Sequence, residues 1–434
     1  MAELEHRRAW RPAMFFFCAM VATGALLALR RPDAVFHAQF WAEDGAAWYA
    51  DAYNRGGLRA LPFVRDGYLA IFPRMVAAAA QLPPLVFAPL LFNLVALIIE
   101  ALPPLFLVSS RMRNIGPRWL RCVLALLYLL IPDSSEVHAN ITNSQWQLVV
   151  LSCLILIAEV PGSTWGRIFD VFVLLLCGLS TATVFLLLAV AVARDLLPLW
   201  HYSGKKFRLS LPERRWGLVQ TSLLAVAAFV QGLTLLTAGS ARLHSSPGAT
   251  VDRFVRIVAG QIVLPVFLGG NRLYEISHDP VTVTFVALMI TAVTGLVYLY
   301  ALASGTPQLK CFTLLAGLVL AAALTFPNVQ PVAHQWDLFL WPGAALRYWY
   351  IPKLAVIATL IWLLDRQRPV AIRLAAGVLT CIMLVALVTH WSYQPFDDFQ
   401  FAGSVRTFEQ LPSGAVGEFP LNPAGIWTMR LVKK

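Results

Sequence analysis

The sequence predicts an all-α polytopic membrane protein with about eleven transmembrane helices, each needing ~20 apolar residues. Three observations predict it. Of 434 residues, 59% are hydrophobic and only 13% charged, with a mean hydropathy of +0.68; a soluble domain carries about 25% charged residues. Apolar runs recur along the whole chain. Basic residues gather between alternate runs and carboxylates in the segments between. The net charge of +11 and pI of 9.6 then follow from basic cytoplasmic loops. This composition excludes a soluble enzyme, a disordered chain and a nucleic-acid-binding protein. Cys18, Cys122, Cys153, Cys177, Cys311 and Cys381 lie in or beside apolar runs without metal or redox spacing, and read as small hydrophobes.

The first run, 13–29, follows MAELEHRRAWRP and ends at Arg30-Arg31-Pro32 with no small-residue cleavage site. It reads as an uncleaved helix with Arg7, Arg8 and Arg11 inside. Residues 31–84 form the first outer loop. Within it GYLAIFPRMVAAAAQLPP (67–84) is interrupted by Pro73 and Arg74, and reads as a re-entrant or interface-lying helix. Further runs lie near 85–109, 118–132, 145–160, 167–179, 181–195, 216–238, 281–303, 310–326, 350–364 and 371–390. Charge tests the threading. Inner segments hold Arg111, Arg113, Arg118, Arg121, then Arg194, Lys205, Lys206, Arg208, Arg214, Arg215, then Arg366, Arg368, Arg373. Outer segments hold most of the carboxylates, and the pattern requires 167–195 to be two short helices bent at 178–181. Residues 1–390 are therefore the membrane domain. The tail 391–434 faces outside, where VGEFPLNP and IWTMRLVKK suit a small β-hairpin closing over the outer loops.

Four outer clusters carry chemistry. Phe40-Trp41-Ala42-Glu43-Asp44-Gly45 sets two carboxylates beside aromatic rings at a membrane exit. A carboxylate at a partly dry interface is a competent general base, and Trp41 can stack on a sugar. The plainer reading is an acidic helix start at 45–55. Residues 329–352 hold His334, Asp337, Trp341, Arg347 and Tyr348 just before a span; Arg347 can grip a phosphate, or the set can simply anchor a helix. Loop 239–280 holds Arg242, Arg253 and Arg256, a phosphate grip or interfacial snorkels. Asp133, Ser134, Glu136, His138, Asn140 and Asn143 read as an acceptor-binding set or, more simply, a solvated turn. Glu100, beside Pro103-Pro104, is costly at membrane depth, and bonding amides freed by a helix break explains it.

FWAEDG (40–45), GYLAIFPR (67–74), ITNSQWQL (141–148), GLSTATVFLLL (178–188), RYWYIP (347–352) and PLNPAGIWTM (420–429) resemble, in order and over nearly the whole chain, bacterial GT-C integral-membrane glycosyltransferases. The resemblance implies a GT-C-like fold in the bacterial plasma membrane with its active site on the extracytoplasmic face. It implies a polyprenyl-phosphate sugar donor and a glycan or lipid-linked acceptor. It also implies a catalytic base among Glu43 and Asp44, and substrate binding near Arg347. Glu43-Asp44 departs from the DxD form of some members, so no metal ligand is assigned and a divalent cation stays optional. The rival readings are a lipid-linked-sugar flippase or other transporter, and a surface-glycan ligase or polymerase. A transporter places its ionisable groups near the midplane, in repeats; here they gather outside.

Overall fold

The computed structural model describes residues 2–434 except 66, 197–200, 203–204, 207–210, 239–244, 328 and 330–331. Arg208 and Arg242 lie outside the described residues, as do the side chains of Arg7, Arg8, Arg11, Lys205 and Lys206. The molecule is mostly helical, and every apolar run becomes a helix: Ala2–Arg30, Ala88–Val108, Arg118–Leu130, Ser144–Ile157, Thr164–Gly178, Val184–Leu196, Leu211–Ala238, Pro280–Ser304, Pro307–Thr325, Leu346–Leu363 and Val370–Thr389. Among the described residues, five segments are long and apolar enough to cross a membrane: Leu85–Val108, Pro212–Ala238, Pro280–Ser304, Pro307–Thr325 and Val370–Thr389. The others are shorter or less apolar.

Local chemistry sets the helix starts. Asp279 accepts the Thr282 N–H, and Thr306 accepts the Leu309 N–H, each before a proline at the first helical position. Pro103-Pro104 does not break the helix at Glu100; Ala88–Val108 runs through both prolines. The expected bend near 178–181 is present. Asp170, midway along its helix, accepts from Trp216, while Arg194, late in the next, donates to the Gly217 carbonyl. The two short helices therefore double back, both packing against Leu211–Ala238. Gly178 permits this packing, because a Cβ there would lie 2.7 Å from that of Ala227.

The polar contacts fall at two ends of the bundle. At one end Arg111 clasps Asp170, Arg194 binds Asp195 and Gln220, and Arg368 meets Tyr300. At the other, the 31–84, 131–143, 246–248, 334–347 and 391–434 segments contact one another. Ser144–Ile157 joins the two ends, its 14 residues spanning roughly 20 Å at ~1.5 Å per residue.

In the tail, Val416–Leu421 pairs antiparallel with Trp427–Val432, as the sequence predicts. The alternating burial of Val416–Leu421 puts Phe419 and Leu421 inward. There they meet Phe401, Phe408 and the Phe40 region. The hairpin sits so close to the first outer loop that a Cβ on Gly45 would fall 2.9 Å from Leu421 Cδ1.

Candidate functional site

The segment 131–143 is the hub. Its composition suggests a solvated turn, yet Ser134, His138, Asn140 and Asn143 are all buried. Polar side chains there bond to backbone instead of water. Asn140 and Asn143 both donate to the Glu136 carbonyl at 2.8 Å, and Asn140 Oδ1 accepts the Asn143 N–H at 2.9 Å. The loop is also held from outside. Arg30 donates to the carbonyls of Leu129, Ile131 and Trp391, with its guanidinium 4.0 Å from the Tyr393 ring centre. Lys353, fully buried, bonds the Asp133 carboxylate at 2.8 Å. Glu100 pairs with His138 Nδ1 at 2.9 Å, correcting the expectation that it bonds freed backbone amides. Burial pushes the His138 pKa down, against the pull of Glu100.

The first outer loop enters through strained backbone. Ala42 has φ 40°, in the left-handed region that a non-glycine residue adopts at a cost of about 1–3 kcal/mol. Its N–H donates to the Asn422 carbonyl of the hairpin. A π-helix follows at Asp44–Tyr49, then an α-helix at Ala50–Arg55. This is the acidic helix start read from the sequence, but Asp44 does not face water. It is 0% exposed, and its carboxylate accepts the Ile141 N–H at 2.9 Å, the Thr142 N–H at 2.8 Å and the Thr142 hydroxyl at 2.7 Å. Burial pushes its pKa up to about 7, while these donors and neighbouring backbone bonds pull it back. Trp48 Nε1 donates to Thr142 Oγ1 at 3.0 Å, tying the same helix to the hub. Glu43 beside it is half-buried.

Arg347 reaches the hub from the opposite side. A π-helical stretch, Val258–Val263, carries buried Gln261, which donates to the Phe339 and Trp341 carbonyls at 2.6 and 2.8 Å. That fixes the turn leading to Ala345, left-handed at φ 51°, and to the helix at Leu346. The Arg347 backbone N–H donates to Glu136 Oε2 at 3.0 Å, and its guanidinium pairs with Oε1 of the same carboxylate. The Tyr348 ring lies 4.9 Å from the guanidinium, and Trp146 meets that ring edge-on at 5.8 Å.

The structure thus brings Glu43, Asp44, Arg347 and Tyr348 to one loop. It takes the other expected residues elsewhere. Trp41 packs on Phe396, 5.8 Å between ring centres, and bridges to Asn422, so its ring supports the tail. Arg253 pairs with Asp337 at 2.7 Å and Arg256 with Asp252 at 2.8 Å. Both arginines sit on Val251–Ile257, as their spacing predicts, but each already has a carboxylate. His334 is exposed and bridges Ser246 on that same side. Glu136, Ile141 and Thr142 are the residues that sequence reasoning missed as partners of the site. Among the described residues, no group of three or more His, Cys, Asp or Glu side chains is arranged to hold a metal, so the optional divalent cation has no ligand set there. The chain matches no protein-family model, no curated protein and no solved structure.

Proposed function

We propose that the chain is a bacterial plasma-membrane glycosyltransferase of GT-C type, with its site on the extracytoplasmic face. It transfers a sugar from a polyprenyl-phosphate donor to a hydroxyl of a glycan or lipid-linked acceptor. The observation that carries the reading is the convergence on residues 131–143 of the Glu43-Asp44 pair, through the Asp44 bonds to Ile141 and Thr142, and of Arg347, through its bond to Glu136. Left-handed, non-glycine backbone at Ala42, Asp133, Ala139 and Ala345 surrounds the same place, and such strain concentrates where function requires it.

The residues divide the work. Asp44 is a positioning residue, because its carboxylate is committed to Ile141 and Thr142. Glu43 is the general base. The acceptor hydroxyl attacks the anomeric carbon as Glu43 takes its proton; the bond to the phosphate oxygen breaks, and polyprenyl phosphate leaves with the electron pair. One displacement inverts the anomeric centre. Arg347 stabilises the charge growing on the phosphate, and an arginine does so through two parallel hydrogen bonds. In this reading all eleven helical runs cross the bilayer, with the N-terminus inside and the tail outside, leaving the polyprenyl chain in lipid.

Purified protein incubated with a radiolabelled polyprenyl-phosphate sugar in liposomes tests this. Release of polyprenyl phosphate with label on an acceptor supports transfer. Labelled lipid crossing the bilayer unchanged identifies a flippase instead.

A further inference from the structure

Glu136 holds Arg347 at two points. One carboxylate takes both the guanidinium, through Oε1, and the Arg347 backbone N–H, through Oε2 at 3.0 Å. That N–H belongs to the first turn of Leu346–Leu363, where helical amides lack internal acceptors. A carboxylate bridging an arginine and such an amide presents the same two oxygens that a phosphodiester would. The pair is only part-buried: the two side chains are 24% and 16% exposed. Beside it, Trp146 is 6% exposed and its indole N–H has no hydrogen-bond acceptor among the described residues, although it packs edge-on against Tyr348. A buried donor without an acceptor costs about 1–3 kcal/mol, so that N–H is a second mark of a missing acceptor group.

We infer that Glu136 is an internal stand-in for the donor phosphate, holding Arg347 in the empty site and exchanging it for the phosphate when the donor binds. The inference rests on the glycosyltransferase reading and adds how that site is regulated. Glu136 stays tied to the hub through its backbone carbonyl, which Asn140 and Asn143 hold at 2.8 Å, so only its side chain need move.

The test is binding of farnesyl phosphate, a polyprenyl phosphate with no sugar, to protein in nanodiscs. The variants are Glu136→Gln, Glu136→Asp and Arg347→Gln, with thermal unfolding recorded for each. Glu136→Gln removes the competing charge and should bind about tenfold more tightly than wild type, the worth of one hydrogen bond to a charged group discounted for its exposure. Glu136→Asp keeps the charge with a shorter reach and should fall between the two. Arg347→Gln should bind at least tenfold more weakly. If Glu136→Gln and Glu136→Asp bind no better than wild type while Arg347→Gln loses binding, Glu136 is a structural brace and the inference is overturned, with the phosphate role of Arg347 intact. Failure of wild type and every variant to bind, or loss of Arg347 without effect, overturns the inference together with the reading beneath it.

Discussion

Replacing Asp44 by asparagine separates bracing from catalysis. The carboxylate accepts two hydrogen bonds on Oδ1, from the Thr142 N–H and hydroxyl, and one on Oδ2, from the Ile141 N–H. Asparagine keeps one oxygen and turns the other position into an NH2 donor. If its oxygen faces Thr142, the amide nitrogen faces the Ile141 N–H across 2.9 Å. The opposite orientation leaves both Thr142 donors without an acceptor. At least one donor is orphaned, at a cost of about 1–3 kcal/mol, and the surviving bonds lose their charge assistance. The site is 0% exposed, so water does not repair it. A net loss of about 3 kcal/mol follows, which lowers Tm by several degrees in a chain of this size. The assay is thermal unfolding in detergent at pH 8, where the wild-type carboxylate is ionised, with turnover measured on the same samples. An Asp44→Asn protein with wild-type Tm and a turnover lowered by about 10²-fold or more would refute the bracing role and make Asp44 itself the base.

Other outcomes follow from the same contacts. Burial raises Asp44 to about 7, so between about pH 4, the ordinary carboxyl value, and about 7 the folded chain holds a proton that the unfolded chain releases. The stability this group contributes is therefore full below about pH 4 and is lost as pH rises through about 7; Asp44→Asn should flatten that part of the Tm–pH curve. Arg347→Lys should bind donor more weakly despite keeping its charge, because lysine offers no two-pronged grip, whereas a mere interfacial anchor would tolerate it. Asn422→Ala removes two side-chain bonds to the Asp397 backbone, at 2.8 and 3.0 Å, from the residue whose carbonyl holds the Ala42 N–H. It should cost about 2 kcal/mol and slow turnover by displacing Glu43, seen as a lower Tm and a lower kcat. In a background without reactive thiols, a cysteine at position 45 should become labelled from outside in cells and one at 206 should not; the opposite pattern inverts the membrane orientation.

Much of the helical layout is legible in the sequence because the apolar runs leave few other ways to satisfy the backbone. Even the break near Gly178 follows from the need to keep Arg194 and Lys205 on one side. The hairpin is legible from alternating residues in VGEFPL. Partners of polar residues are not. Nothing near Asp44 in the sequence points to Ile141 and Thr142, nor anything near Arg347 to Glu136, since those bonds join segments that only the finished bundle brings together. The polar loop 131–143 looks solvated because its residue types usually are; here Asn140 and Asn143 turn inward to bond the Glu136 carbonyl. The closeness of Asn140 to Asn143 was the available signal, an Asx-type turn able to satisfy its own backbone before burial. Trp41 misleads for a similar reason: an exposed-looking aromatic was needed to seat the tail.

The central claim is tested most directly by comparing sugar transfer from a polyprenyl-phosphate donor by wild type and Glu43→Gln, with donor binding and Tm measured alongside. The account predicts that the wild type releases polyprenyl phosphate. Glu43→Gln should bind donor and unfold like wild type, yet turn over about 10²–10⁴-fold more slowly, the usual worth of a positioned base. Wild-type turnover in Glu43→Gln, or no transfer by the wild type with any polyprenyl-phosphate sugar, would contradict it.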